Sequence, residues 1–244
     1  MERVTPSRPF QHVGIDFCGP FNMKVARIRK PLVTKGYVAV YVCFSTKAIH
    51  LEVVSDMTTA TFLACFDRFI SRRGMPSKVY CDNAKTFKGA DNQLKELYNL
   101  QSLQSHRDSV HNYCKNNYIK FMFIPSYSPE FGGLWEAGVK SVKHHLKRVV
   151  GNLCLTYEEF NTVMVQIEGV LNSRPLLSNP SEGGYLTPGH FLIGTALSSY
   201  PDVDLLEIPV EKIKLWKIIT RVKQHFWQAW SADYLTQLQS RPKW

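Results

Sequence analysis

Three β-favouring runs crowd into the first 54 residues: His12-Val13-Gly14-Ile15-Asp16-Phe17-Cys18, Gly36 to Ser45, and Ile49 to Val54. Strands so close in sequence tend to pair as neighbours, which commits the start of the chain to one sheet. Gly19-Pro20 closes the first run, and the basic stretch Lys24 to Lys35 reads as a hairpin loop before the second. The pattern then changes. Thr58 to Arg73 repeats at helical spacing, with Phe62, Phe66, Phe69 and Ile70 on one side, and Gly74-Met75-Pro76 stops it. Lys78 to Cys81 is a short strand, 91–117 is polar and helix-compatible, and Tyr118 to Pro125 returns to strand. Leu134 to Val150 and Tyr157 to Leu171 read as helices. Adjacent strands followed by alternation predict a mixed sheet with helices on its faces. Beyond Arg174-Pro175 the text is loop-like through Gly194, then an acidic linker, Pro201 to Glu207. A last helical pattern runs from Lys212 to about Leu238 and carries Trp216, Trp227 and Trp230.

With 44% apolar residues over 244 positions, the chain can bury a core and is not a disordered polymer. The longest apolar run, Val38 to Phe44, is far short of a membrane span, and the N-terminus lacks the apolar stretch of a signal peptide. The six cysteines never approach a CxxC spacing, which argues against a zinc knuckle or disulfide scaffold and for buried, reduced thiols. Lysine and arginine exceed aspartate and glutamate by 30 to 20. The excess sits at the ends: residues 1–35 and 211–244 each carry seven basic and two acidic side chains. That distribution suits phosphate contacts by flanking segments around a neutral body, although solvated lysines would look the same.

Three carboxylates occupy similar places. Asp16 sits inside a strand otherwise built for burial, Asp82 ends another, and Glu136 opens a helix after a glycine loop. Taken singly, Asp82-Asn83 can be a turn and Glu136 a favourable charge at a helix start. Asp16 is harder to explain so, because an acid in a core strand needs a cation or donor. Three converging acids would repel unless divalent cations neutralise them, and oxygen-only ligands fit Mg²⁺ or Mn²⁺. On the helix that follows, Glu136, Lys140, Lys143 and Lys147 fall within about 60° of one another. Val139, Val142, Leu146 and Val149 form a second, core-facing stripe.

The strand HVGIDFCGP, the segment VYCDNAKTF and the block IKFMFIPSYSPEFGGLWEAGVKSVKHHLKRVV together resemble the catalytic core of a retroviral-type integrase. The segment STKAIHLEVVSDMTTATFLACFDRFISRRGMPSKVYCDN resembles the integrases of BEL/Pao-type LTR retrotransposons in particular. The likeness runs from about Arg8 to Gly194. It implies an α/β fold of the ribonuclease-H-like kind, a five-stranded mixed sheet flanked by helices, with a C-terminal helical appendage. Its division would be a basic arm at 1–10, a catalytic core at 11–195, a linker at 196–211 and a helical basic appendage at 212–244. By position, Asp16, Asp82 and Glu136 match the metal-binding catalytic triad, and two Mg²⁺ or Mn²⁺ ions are implied. Lys140 and Lys143 match positions that contact element-end DNA, Lys147 continues their stripe, and Tyr127 lies in the matching active-site loop.

Some features depart from the retroviral pattern. Asp82 and Glu136 are separated by 53 residues, a longer spacing than is common in retroviruses, with the excess falling in the polar stretch before Tyr118. Gly132 stands where many retroviral relatives have glutamine, and Glu130 in the same loop is a rival third ligand. No zinc module precedes Arg8, and the tail resembles only the opening of the domain that follows the core, as in a polyprotein fragment or a domesticated copy. The resemblance implies metal-dependent 3′-end processing and strand transfer on DNA, a homo-oligomeric assembly, nuclear residence and no membrane. The alternatives are a catalytically silent DNA-binding derivative and a ribonuclease of the same fold.

Overall fold

A computed structural model of the chain describes residues 6–82, 86–94, 119–123, 133–150, 153–179, 184–208 and 215–238. Its strands are β1 (His12–Lys24), β2 (Val33–Cys43), β3 (Ile49–Val54), β4 (Lys78–Cys81), β5 (Lys120–Phe123) and β6 (Leu155–Thr156), with a small pair β7 (Leu177–Asn179) and β8 (Gly184–Leu186). The named helices are α1 (Thr59–Arg73), α2 (Gly133–Val150), α3 (Tyr157–Asn172), α4 (Pro188–Ile193) and α5 (Leu215–Leu238). The main sheet runs β3-β2-β1-β4-β5, and β6 joins the far end of β1. β2 and β3 pair antiparallel, while β1 with β4 and β4 with β5 pair parallel. Three adjacent strands on one side and parallel additions on the other make this the ribonuclease-H-like sheet.

The chain forms two compact units, Met1–Cys18 with Tyr37–Glu136 and Gly19–Gly36 with Ala137–Trp244. In the first, α1 starts at Thr58, whose hydroxyl accepts a hydrogen bond from the Thr61 N–H. It buries Phe62, Cys65, Phe66 and Phe69 against the sheet. Phe69 stacks on Tyr41 with centroids 4.3 Å apart and meets Phe10 edge-on. At the other end Gly74 takes a left-handed φ of 82° and its N–H bonds the Ile70 carbonyl. Arg8 donates there to the carbonyls of Arg73 and Met75, so one cation of the basic N-terminal arm stabilises the carboxyl end of α1.

Every residue of β3 is buried, Glu52 included. The Glu52 carboxylate accepts from Arg68 Nε at 2.7 Å, Arg72 at 2.8 Å and His50 Nε2 at 3.1 Å. Arg73 Nε points at His50 Nδ1, which fixes the tautomer that donates from Nε2. Burial pulls the Glu52 pKa up, but the hydrogen bonds from His50 and Arg68 outweigh it and hold the carboxyl below its usual range.

In the second unit α3 begins with a capping box, in which Thr156 and Glu159 satisfy each other's backbone N–H groups. Glu159 also receives Arg27 at 2.5 Å. The helix α5 is bound along its length. Lys223 pairs with Asp202, Gln224 holds the backbone of Val203 and Leu205, and Arg221 donates to the carbonyls of Leu206 and Ile208. The segment read as an acidic linker is therefore strapped to the basic helix that follows it, and Leu205 is buried.

Three readings change. β1 continues past Gly19-Pro20 to Lys24, because period-two burial resumes: Phe21 and Met23 are buried while Pro20 and Asn22 are exposed. The loop-like stretch after Arg174 contains β7, β8 and α4; α4 starts at Pro188 behind Thr187, whose N–H donates to His190 Nδ1 at 3.1 Å. On α2 the apolar stripe holds at Val139, Val142 and Leu146, but Val150 takes the fully buried place expected for Val149. Cys18, Cys43, Cys65 and Cys81 are buried free thiols, Cys154 is half-buried, and Cys114 lies outside the described residues. No helix among the described residues is long and apolar enough to cross a membrane.

Because folding depresses the Glu52 pKa, its contribution to stability is complete above the unfolded value and is lost as pH falls through the folded one. Glu52→Gln should cost about 1–2 kcal/mol at neutral pH, modest because both arginines are partly solvated. Urea titrations from pH 7 to 3 should show wild-type stability falling faster than that of the variant, so that the two curves converge in acid.

Candidate active site

The register between β1 and β4 builds the site. His12, Val13 and Gly14 face Lys78, Val79 and Tyr80 in parallel. Carried two residues further, the same register sets Asp16 level with Asp82. Level residues on neighbouring parallel strands share a face, with strands about 4.8 Å apart. Asp16 is half-buried and Asp82 is exposed where the chain leaves β4. Asp16 Oδ1 also accepts from the Phe17 N–H at 2.7 Å.

The surroundings favour oxygen chemistry. Cys81, next to Asp82, is buried, and burial pushes its thiol pKa well up, assisted by the charges of Asp82 and Asp91. Side chains alternate along a strand, so Cys81 faces the buried side while Asp82 is exposed. Two carboxylates at one level are a donor set for a hard divalent cation, Mg²⁺ or Mn²⁺. Among the described residues, no three His, Cys, Asp or Glu side chains form a metal-binding group. Glu136 lies in the first turn of α2, but its side chain is outside the described residues, as are Tyr127, Glu130 and Gly132. Lys140 and Lys147 are exposed and Lys143 is half-buried on α2, the helix that carries Glu136.

Aromatic residues downstream of the two aspartates pack together. Phe17, one residue after Asp16, stacks on Phe87, five residues after Asp82, with centroids 5.3 Å apart and planes 11° apart. Phe62 of α1 meets Phe87 edge-on at 5.0 Å and Phe17 at 6.1 Å. Each such ring pair adds roughly 0.5–1.5 kcal/mol beyond area burial. The helical segment 86–94 is also fixed to the start of α1: Thr86 Oγ1 donates to the Met57 carbonyl at 2.6 Å. A Cβ on Gly89 would lie 2.4 Å from Thr59 Oγ1, so only glycine permits this approach. The sequence reading missed this clamp and the buried Asp91. The one available signal was the spacing of Phe87 and Ala90 after Asp82, because a contact such as Gly89–Thr59 has no local periodicity.

A pairing between buried His145 and exposed Asp233 also escaped the sequence reading. His145 of α2 is buried, and its Nε2 lies 3.0 Å from Asp233 of α5. Burial lowers its pKa, while Asp233 pulls it partly back.

The family described as "Family of unknown function (DUF5641)" matches residues 214–244. No curated protein matches the chain in sequence. Similar solved structures include a chain of the simian T-cell lymphotropic virus intasome in complex with PP2A regulatory subunit B56 gamma. It has 15% identity and a TM-score of 0.47 over 81% of this chain, which spans 59% of that one. The HTLV-2 integrase catalytic core domain in complex with magnesium, in its trimeric form, has 18% identity and a TM-score of 0.44, covering 77% of this chain and 99% of that one. The catalytic core domain of BIV integrase has 18% identity and a TM-score of 0.42, covering 76% and 95%.

Gly89→Ala should cost about 1–3 kcal/mol in chemical denaturation, the usual range for overpacking. Thr59→Ala in the same chain should restore most of that loss, because it removes the atom that the new methyl strikes. Equal, additive losses in the double-mutant cycle would show that the close approach is not the constraint.

Proposed function

We propose that the chain is the catalytic core of an integrase-type polynucleotidyl transferase that processes and joins DNA 3′ ends for an LTR retrotransposon. What supports this reading is the parallel register of β1 with β4, which, extended two residues past Gly14 and Tyr80, would set Asp16 level with Asp82, the two acids singled out by the integrase-like sequence blocks. Asp16 and Asp82, with Glu136 from α2, would hold two divalent cations. When bound, these ions would supply Lewis-acid activation of an attacking oxygen and charge stabilisation of the leaving 3′ oxygen.

The chain's own contribution is position and charge. The β1–β4 pairing next to Asp16 and Asp82, and the Phe17–Phe87 stack, would help to organise the donor set before substrate arrives. Lys140, Lys143 and Lys147 would take DNA phosphates along α2, and Tyr127 would lie against the DNA end. Joining two ends calls for a homo-oligomer, and the reaction for a nuclear location.

The test is cleavage and joining of a branched DNA substrate with Mn²⁺. Wild type should join strands, and Asp16→Asn or Asp82→Asn should each lower the rate by at least about a hundredfold, the scale of one preorganised electrostatic group. No joining by wild type, with DNA binding intact, would replace this reading by a silent DNA-binding protein. Cleavage confined to the RNA strand of a hybrid would replace it by a ribonuclease.

A further inference from the structure

The loop between β1 and β2 is an exposed turn that caps a two-stranded ribbon. Its first arm is fixed against β6 and the start of α3. Met23 and Lys24 pair in parallel with Leu155 and Thr156, and Arg27 is tied to the buried carboxylate of Glu159. The Val25 N–H bonds the Leu32 carbonyl at 3.0 Å and closes the tip. From Val25 to Lys35 every residue but Pro31 is exposed.

Two properties coincide there. Residues 24–35 hold five cations, Lys24, Arg27, Arg29, Lys30 and Lys35, and no acid. Arg29, Lys30 and Lys35 have no ion-pair partner among the described residues. The same ribbon exposes Val25 by 62%, Ile28 by 64%, Leu32 by 69% and Val33 by 49%. A merely solvated loop has no reason to display four large apolar side chains, and such a patch marks a binding surface.

We infer that this ribbon is a second nucleic-acid contact, entering a DNA groove with Arg29 and Lys30 at its tip and its apolar stem against sugars and base edges. A two-stranded ribbon fits the major groove, which is about 12 Å wide. The order of residues favours DNA over an anionic membrane. Ile28 shares the apex with Arg29 and Lys30, Val25, Leu32 and Val33 lie on the stem, and the segment has no aromatic residue to seat in a lipid interface. Arg27 serves as the anchor that stiffens the ribbon, so the ordering cost is met before binding. The inference rests on the reading that the chain works on DNA, but it concerns residues outside the acid site.

The test measures binding of the full chain to a fluorescein-labelled DNA duplex by anisotropy, between about 50 and 200 mM salt. Relative to wild type, Arg29→Ala/Lys30→Ala/Lys35→Ala should reduce the slope of log affinity against log salt by about 2 to 3. Its thermal midpoint should be unchanged, since all three side chains are exposed. Ile28→Ser should weaken binding several-fold with no change in slope. An unaltered slope in the triple variant, with wild type binding DNA normally, overturns the inference and leaves the proposed function standing. Phosphatidylserine vesicles captured through Ile28, with the DNA slope unmoved, overturn it in favour of a membrane contact. Absence of salt-dependent DNA binding in wild type overturns both readings.

Discussion

Everything proposed for this chain depends on the parallel pairing of β1 with β4. An aspartate in a buried strand is costly when isolated, and a strand-end aspartate alone is only a turn residue. Extended past Gly14 and Tyr80, the pairing sets them level, from positions 66 residues apart in the chain. A one-residue slip would turn the two carboxylates to opposite faces. The aromatic layer serves the register: Phe17 and Phe87 each follow one of the acids and stack on each other, while Phe62 closes their flank from α1.

Charge is used in two ways. Several cations that look available in the sequence are structural. Arg8 stabilises the end of α1, Arg27 neutralises Glu159, and Arg221 and Lys223 hold residues 202–208 against α5. Others stay in solvent, Lys140 and Lys147 on α2 and Arg29, Lys30 and Lys35 on the ribbon. The net charge of +10 therefore overstates what is free to meet phosphate, and the location of the uncommitted cations carries the functional argument.

Much of the architecture is legible without coordinates, where local pattern and burial agree. β3 and β4 lie at the residues their β-branched and aromatic character marks, and α1 lies between a threonine cap and a glycine stop. The illegible parts are those set by tertiary contact. Gly19-Pro20 reads as an end, yet the strand continues because Met23 and Lys24 find a partner in β6. The β7–β8 pair and α4 are each too short to show a period. Asp16 and Asp82 are legible as unusual residues, but their shared level comes from register, which no local rule supplies. The Gly89–Thr59 approach and the His145–Asp233 pair join segments distant in sequence and leave no local trace.

The most direct test of a shared cation site at Asp16 and Asp82 is a crystal of the full chain soaked in Mn²⁺, with anomalous difference maps at the manganese edge. The proposed function predicts a peak within about 2.3 Å of a carboxylate oxygen of both residues, lost in Asp16→Asn. A map with no peak between them, or carboxylates directed to opposite faces of the sheet, would contradict the account.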